Sequence, residues 1–201
     1  MLNRAVPILS LIALSGLLGV SSEASADRQP EKPTAPKHID QTPPLVPIPN
    51  ARVTQSGLLV GGQPSPDQLK QIEEAGYRTV ITLRAESEPG DEGERAAVER
   101  LGMKFVSIPV PGPAGLTEAN ARSLARALGQ QDALPAVVHC KSGQRASALL
   151  GLKAFVVDRV SAAAAMDLAK SLGLTKLEAA LRERIAEICR TDKSRNCEVL
   201  R

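Results

Sequence analysis

A cysteine and an arginine held on one turn of backbone can grip and attack a tetrahedral anion. The run His139-Cys140-Lys141-Ser142-Gly143-Gln144-Arg145-Ala146-Ser147 contains both. It follows the apolar stretch Ala136-Val137-Val138, entered by Pro135, and leads into a segment that is apolar nearly all round. A buried strand therefore meets a buried helix. The backbone between them must turn sharply, which Gly143 permits. Successive N–H groups then face one concavity at the positive end of a helix, where fixed donors and the helix dipole favour an anion. Cys140 sits at the base of that concavity, so the same donors favour its thiolate over its thiol. Arg145 adds a permanent charge and a planar fork that matches two oxygens.

The neighbours have graded roles. Lys141, Ser142, Gly143 and Gln144 would line the anion site together with Arg145. Lys141 adds positive potential, although a single Lys is most often only a solvated side chain. Ser147 is placed to donate a hydrogen bond to the sulfur. His139 is expected to order the loop by a hydrogen bond from outside the anion site, not to act as the base. A lone Cys after an apolar strand is most often core packing. The Cys-x-x-Gly-x-Arg pattern between strand and helix is more specific, because every part of it has a role.

The surrounding elements alternate. Residues 52–60 predict a short hairpin turning at Gln55-Ser56-Gly57. Ser65-Pro66-Asp67-Gln68 opens a helix, with Ser65 as N-cap, Pro66 in the first turn and Gln68 completing a capping box. Thr79-Val80-Ile81-Thr82-Leu83 is a strand. An acidic loop over 86–91 and a helix ending at Gly102 follow. Residues 104–110 form a strand and 112–115 a loop. Thr117 caps the next helix. After the short strand 136–139, helices are predicted over about 144–157, 162–172 and 177–189. This order predicts a three-layer α/β domain, with a mostly parallel central sheet of four to five strands and helices on both faces.

Composition bounds the rest. Residues 1–26 have the pattern of a secretory signal, with Arg4, an apolar stretch over 8–20 and the small-residue site Ala24-Ser25-Ala26. That stretch is short for a membrane span, so no stable span is expected after cleavage; an uncleaved anchor is the alternative. Residues 27–50 are proline-rich and predict a tether. Residues 51–190 are then the folded domain and 191–201 a C-terminal tail. The formal net charge of +3 gives no reason to invoke nucleic acid, and Tyr77, Phe105 and Phe155 are too few for a base-stacking platform. Cys189 and Cys197 lie close together and are expected to pair in an oxidising compartment, periplasmic or extracellular. Cys140 is then the odd thiol. No metal and no cofactor is called for.

Five pieces of this chain, in order, are familiar: GGQPSPDQL, RTVITLRAESE, ERAAVERLGM, KFVSIPV and VVHCKSGQRAS. Over residues 58–150 the chain resembles the protein-tyrosine-phosphatase-like family known as beta-lactamase-hydrolase-like phosphatases. The resemblance implies a dual-specificity-phosphatase-like fold and phosphocysteine chemistry, with Cys140 as nucleophile and Arg145 as the phosphate-binding arginine. Two departures stand out. Ordinary tyrosine phosphatases place one more residue between Cys and Arg; the shorter spacing occurs within the resembling family and also in rhodanese sulfurtransferases. Phosphatases of this fold also carry an Asp on a neighbouring loop to protonate the leaving group. The loop here, Pro111-Gly112-Pro113-Ala114-Gly115-Leu116-Thr117-Glu118, has none; Glu118 is its nearest carboxylate and the candidate general acid, although its place in the first helical turn has an ordinary capping explanation. Glu86, Glu88, Asp91 and Glu94 could approach the site from another loop, although a solvated acidic loop is the expected reading for each, and Arg84 is read as a support of the pocket or a partner of one of these acids.

Three functions remain open from the sequence. The leading one is a phosphatase acting on a phosphorylated protein or a small phosphate ester. The second is sulfur transfer through a Cys140 persulfide. The third is a non-catalytic anion- or partner-binding module. The oligomeric state is not legible.

Overall fold

The structure, a computed structural model, describes residues 43–90 and 92–197. Residues 1–42, over which a signal and most of a tether are expected, lie outside the described residues. Among those described, no helix is long and apolar enough to cross a membrane.

The three central strands of the sheet are buried at every position and so are covered on both faces. Its strands are β1 (Arg52–Val53), β2 (Leu58–Gly61), β3 (Thr79–Thr82), β4 (Lys104–Ser107) and β5 (Ala136–His139), in spatial order β1-β2-β5-β3-β4. β2, β5, β3 and β4 are parallel, and β1 pairs with β2 antiparallel. Successive side chains alternate between faces. Leu59, Val80 and Val137 pack on one side with Leu69 and Ile72 of α1 (Pro66–Glu74) and Val98 of α2 (Glu94–Arg100). Leu58, Val60, Ile81, Ala136 and Val138 pack on the other side. Their partners there are α3 (Glu118–Leu128), α4 (Gln144–Val156), α5 (Ala162–Ser171) and α6 (Glu178–Thr191).

Local signals set most of these boundaries. Ser65 caps α1 in a full capping box, and the Thr117 hydroxyl accepts from the Asn120 N–H at the start of α3. α4 is buried on nearly every side, packed against α3, α5 and α6. Gly151 makes the α4–α5 approach possible, since a Cβ there would lie 2.8 Å from Ala169 Cβ.

The proline-rich tether does not extend to residue 50. Val46 and Ile48 are buried in the core under α1. Gln68 Nε2 donates to Pro47 O (2.8 Å), and the Gly62 N–H donates to Pro49 O (2.7 Å). Two apolar side chains spaced to reach one face are enough to recruit this segment, despite the prolines around them. At the other end Cys189 and Cys197 form a disulfide, and Arg195 donates to Phe155 O and Val156 O, so residues 192–197 pack on the end of α4.

The parallel register aligns Gly61, His139, Thr82 and Ser107 at one edge of the sheet. β5 is the strand at which the crossovers change face, with α1 and α2 on one side and α3 on the other. Clefts form at such switch points, outside the carboxyl ends of the strands.

Candidate active site

Cys140 leaves β5 into a turn that Gly143 closes. Gly143 has φ +86°, and a Cβ there would lie 3.3 Å from the Gly61 carbonyl carbon. Its N–H donates to Cys140 Sγ at 3.2 Å. The turn is fastened to the end of β2: the Cys140 N–H donates to Gly61 O (3.3 Å) and the Gln63 N–H to Lys141 O (3.4 Å). Asn50 Nδ2 donates to Ser142 O (3.2 Å). Lys141 and Ser142 are exposed, whereas Cys140 is only 1% exposed and carries no disulfide.

Two side chains of the loop act differently from the sequence expectation. The Ser147 hydroxyl does not reach the sulfur. It lies 2.7 Å from Leu172 O and 3.1 Å from Gly143 O, and thus ties α4 to the end of α5. A Ser one turn inside a helix bonds most easily to the carbonyl one turn back. The Gln144 side chain also turns away. Its Nε2 donates to Gly173 O (2.8 Å), and its Oε1 accepts from the N–H groups of Thr175 (2.9 Å) and Lys176 (2.7 Å). Its side chain is thus engaged away from the loop, which leaves only the Gln144 backbone for the expected anion site.

Arg145 points inward. Nη1 donates to Val110 O (3.0 Å) and Leu83 O (3.4 Å), and Nη1 and Nη2 grip both carboxylate oxygens of Glu88, the Nη2–Oε2 bond being 2.7 Å. Glu88 is therefore not a solvated residue of an acidic loop. The Arg145 bond, followed by the Ala85 N–H and the charges of Arg145 and Arg84, outweighs burial and holds the Glu88 carboxyl down at about 2. Glu88 in turn raises the Arg145 guanidinium above its ordinary value, and the adjacent Cys140 side chain adds to that. The end-on grip leaves Nε–H and the outer Nη2 hydrogen as a second fork.

Behind the loop lies a buried polar chain. Arg84 is 3% exposed and donates through Nη1 to Gln63 Oε1 (2.7 Å) and through Nη2 to Pro89 O and Glu88 O. Its Nε lies 3.6 Å from Glu88 Oε2. Gln63 Nε2 donates to Glu94 Oε1 (2.8 Å), and that oxygen lies 3.1 Å from Nε2 of the fully buried His139. The His139–Glu94 contact is close but off the line of a good hydrogen bond. His139 thus meets a carboxylate on the face opposite the anion site.

The remaining acids are placed as follows. Glu118 pairs with Arg122 (3.2 Å) on the half-exposed face of α3. Asp91 lies outside the described residues. The 3₁₀ turn Gly112–Gly115 holds no carboxylate and is pinned by Asn120 Nδ2 on Gly115 O (2.9 Å). Sequence reasoning missed Gln63 and Asn50, and set Glu88 aside. The signal for Gln63 was its place directly after an apolar strand that neighbours β5. Glu88 had no comparable signal.

Fold and loop together define a cysteine-phosphatase-like α/β protein. Residues 50–186 match the family described as PTP-NADK, DSP-PTPase phosphatase fused to NAD+ Kinase, and the chain belongs to that protein-tyrosine-phosphatase-like family. A stretch of 107 residues is 36% identical to a beta-lactamase hydrolase-like protein of Xylella fastidiosa (strain Temecula1 / ATCC 700964), covering 51% of this chain and 24% of that relative. The match thus spans about a quarter of the relative's length. A DUF442 phosphatase structure from Shewanella putrefaciens CN-32 is 26% identical with TM-score 0.53, covering 70% of this chain and 94% of that one. The P. aeruginosa protein TpbA in complex with pTyr shares the fold, with TM-score 0.52, 18% identity, and coverage of 68% and 90%.

Proposed function

We propose that this protein is a cysteine-dependent phosphatase that hydrolyses phosphate monoesters through a phosphocysteine intermediate. The observation that carries the reading is the turn in which the Gly143 N–H meets Cys140 Sγ while Arg145 is locked beside it with a fork still free. A phosphoryl group in this cradle would take its equatorial oxygens from loop N–H groups and the Arg145 fork. Cys140 attacks phosphorus, the S–P bond forms as the P–O bond to the leaving group breaks, and water then releases phosphate and restores the thiolate.

The leaving group receives little help. Glu88 is ionised throughout the neutral range and bound to Arg145, so it carries no proton to donate. Glu118 is engaged on α3. Esters whose alcohols leave readily as anions therefore react best. The expected result is turnover of an aryl phosphate well above that of an alkyl phosphate, abolished in Cys140→Ser. Equal rates on both esters would remove the missing-acid argument, and full activity in Cys140→Ser would remove the phosphatase. The substrate class is a phosphorylated protein or a small phosphate ester.

Sulfur transfer is the second reading, favoured by the four residues between Cys140 and Arg145 and the acid-free loop. It predicts one added sulfur on Cys140 by mass spectrometry after thiosulfate treatment. Export is part of the same proposal. It is supported by the signal pattern of residues 1–26 and by a disulfide of the kind that persists in oxidising compartments. Fractionation of a C-terminally tagged chain tests it, with a periplasmic or extracellular product lacking the first 26 residues expected.

A further inference from the structure

A peptide unit is planar, so its C=O and N–H point to opposite sides. Whatever holds a carbonyl of the active-site loop therefore aims the N–H that follows it. The Lys141 carbonyl accepts from the Gln63 N–H (3.4 Å) and the Gly143 carbonyl from the Ser147 N–H (2.9 Å), so backbone donors fix the peptides on either side. The Ser142 carbonyl between them accepts from a side chain, Nδ2 of Asn50, at 3.2 Å. The opposite end of that peptide is the Gly143 N–H, 3.2 Å from Cys140 Sγ. This unit is also the one most free to turn over. Turning a peptide over reverses the sign of φ in the residue that follows, and glycine alone takes either sign readily. Gly143, which the turn holds at φ +86°, thus permits the reverse orientation as well. Reversed, the unit would present the Ser142 oxygen to the sulfur and to an incoming anion, where a donor is needed.

We infer that Asn50 is a positioning residue that fixes the Ser142–Gly143 peptide and so keeps the Gly143 N–H turned into the anion cradle. The inference rests on the phosphatase reading of that cradle. Asn50 is 92 residues from Ser142 in the chain and reaches it because the segment before β1 docks on the end of β2. Ile48 is buried there, and the Gly62 N–H donates to Pro49 O at 2.7 Å. Two glycines make room for the docking. A Cβ on Gly61 would lie 2.7 Å from Ile48 Cδ1, and one on Gly62 would lie 2.9 Å from Pro49 Cβ and 3.0 Å from Lys141 O. Segment and loop thus rest on the same two residues. Asn50 itself has φ +56°, a conformation that asparagine takes more readily than most side chains. The chain turns there, with the Ala51 N–H on Ile48 O (3.1 Å), and the turn leaves the Asn50 amide over the loop.

Glycine satisfies the same turn, so Asn50→Gly in the full chain removes the amide and strains nothing. Calorimetry with inorganic phosphate should show affinity lower by about fivefold, the size of one hydrogen bond of this kind. Hydrogen exchange followed by 15N–1H NMR reads the peptide itself. The Gly143 amide should exchange at least about fivefold faster in the variant. The Gly62 amide, which reports docking of the segment through Pro49 O, should keep its wild-type rate. Unchanged phosphate affinity, or an unchanged Gly143 rate, overturns the inference. So does equal acceleration at Gly62 and Gly143, which would mean that the substitution only loosens the segment. If the wild type binds phosphate, and Asn50→Gly weakens it as expected, but no aryl phosphate is hydrolysed, the phosphatase reading fails alone. If the wild type binds no phosphate at all, the anion cradle fails and the inference with it.

Discussion

Glu88 decides how Arg145 is presented. A guanidinium on a long side chain has many rotamers, and an end-on carboxylate selects one. Replacing Glu88 by Gln leaves one oxygen where two were gripped and frees the fork to wander. kcat/KM on an aryl phosphate should fall about a hundredfold, as misplacement by about an ångström does elsewhere. A fall of less than about threefold would mean that Val110 O and Leu83 O suffice to hold the arginine. The same residue governs an acid dependence. Its folded-state pKa is depressed from 4.5 to about 2, so its contribution to stability is fully present above pH 4.5 and is lost as pH falls through about 2. Urea unfolding should therefore show wild type more stable than Glu88→Gln at pH 6, with the gap closing as pH falls through that window. A gap that stays constant to pH 2 would mean that the carboxylate is not stabilised by Arg145.

At the scale of elements, the strand-to-helix turn carries the site, and its geometry depends on Gly143. With φ +86° and the Gly61 carbonyl carbon 3.3 Å from a would-be Cβ, alanine meets both backbone strain and a close neighbour. Gly143→Ala should lower unfolding free energy by about 1 kcal/mol or more. It should also abolish inorganic phosphate binding measured by calorimetry, while unfolding stays cooperative. Retained phosphate affinity would show that the loop tolerates a different turn. Elements also show how far sequence reading reached. The caps of α1 and α3 were legible because the interacting atoms are three residues apart. The extent of β4 was less so. The expected strand 104–110 narrows to Lys104–Ser107 because Pro109 and Pro111 cannot continue a ladder, although the Ile108 and Val110 N–H groups still donate to Thr82 O and Leu83 O.

At the scale of the molecule, the domain begins before its first strand. Val46 and Ile48 are buried, and the Tyr77 hydroxyl donates to Pro44 O. Losing both apolar side chains should cost about 3 kcal/mol by the usual burial scale. A chain shortened to begin at Ala51 should thus unfold at distinctly lower urea than one beginning at Pro43. Equal midpoints would show that residues 43–50 only rest on the surface. The same segment ends on the active-site loop through Asn50 and Ser142, so the shortened chain should also bind phosphate more weakly.

Local chemistry was readable without any fold. Alternation within apolar strands, capping residues, and one glycine between a strand and a helix act over a few residues, so they specified the layered α/β sheet and marked the cysteine loop. Long-range meetings were not readable. Glu88 and Arg145 are 57 residues apart, and they meet because β3 lies beside β5 in register. The same register brings His139 beside Glu94, while helix packing gives Ser147 the Leu172 carbonyl at the end of α5 instead of the sulfur. Residue type and spacing state which partners are chemically possible. Only the packing of the strands decides which of them arrive at the same edge.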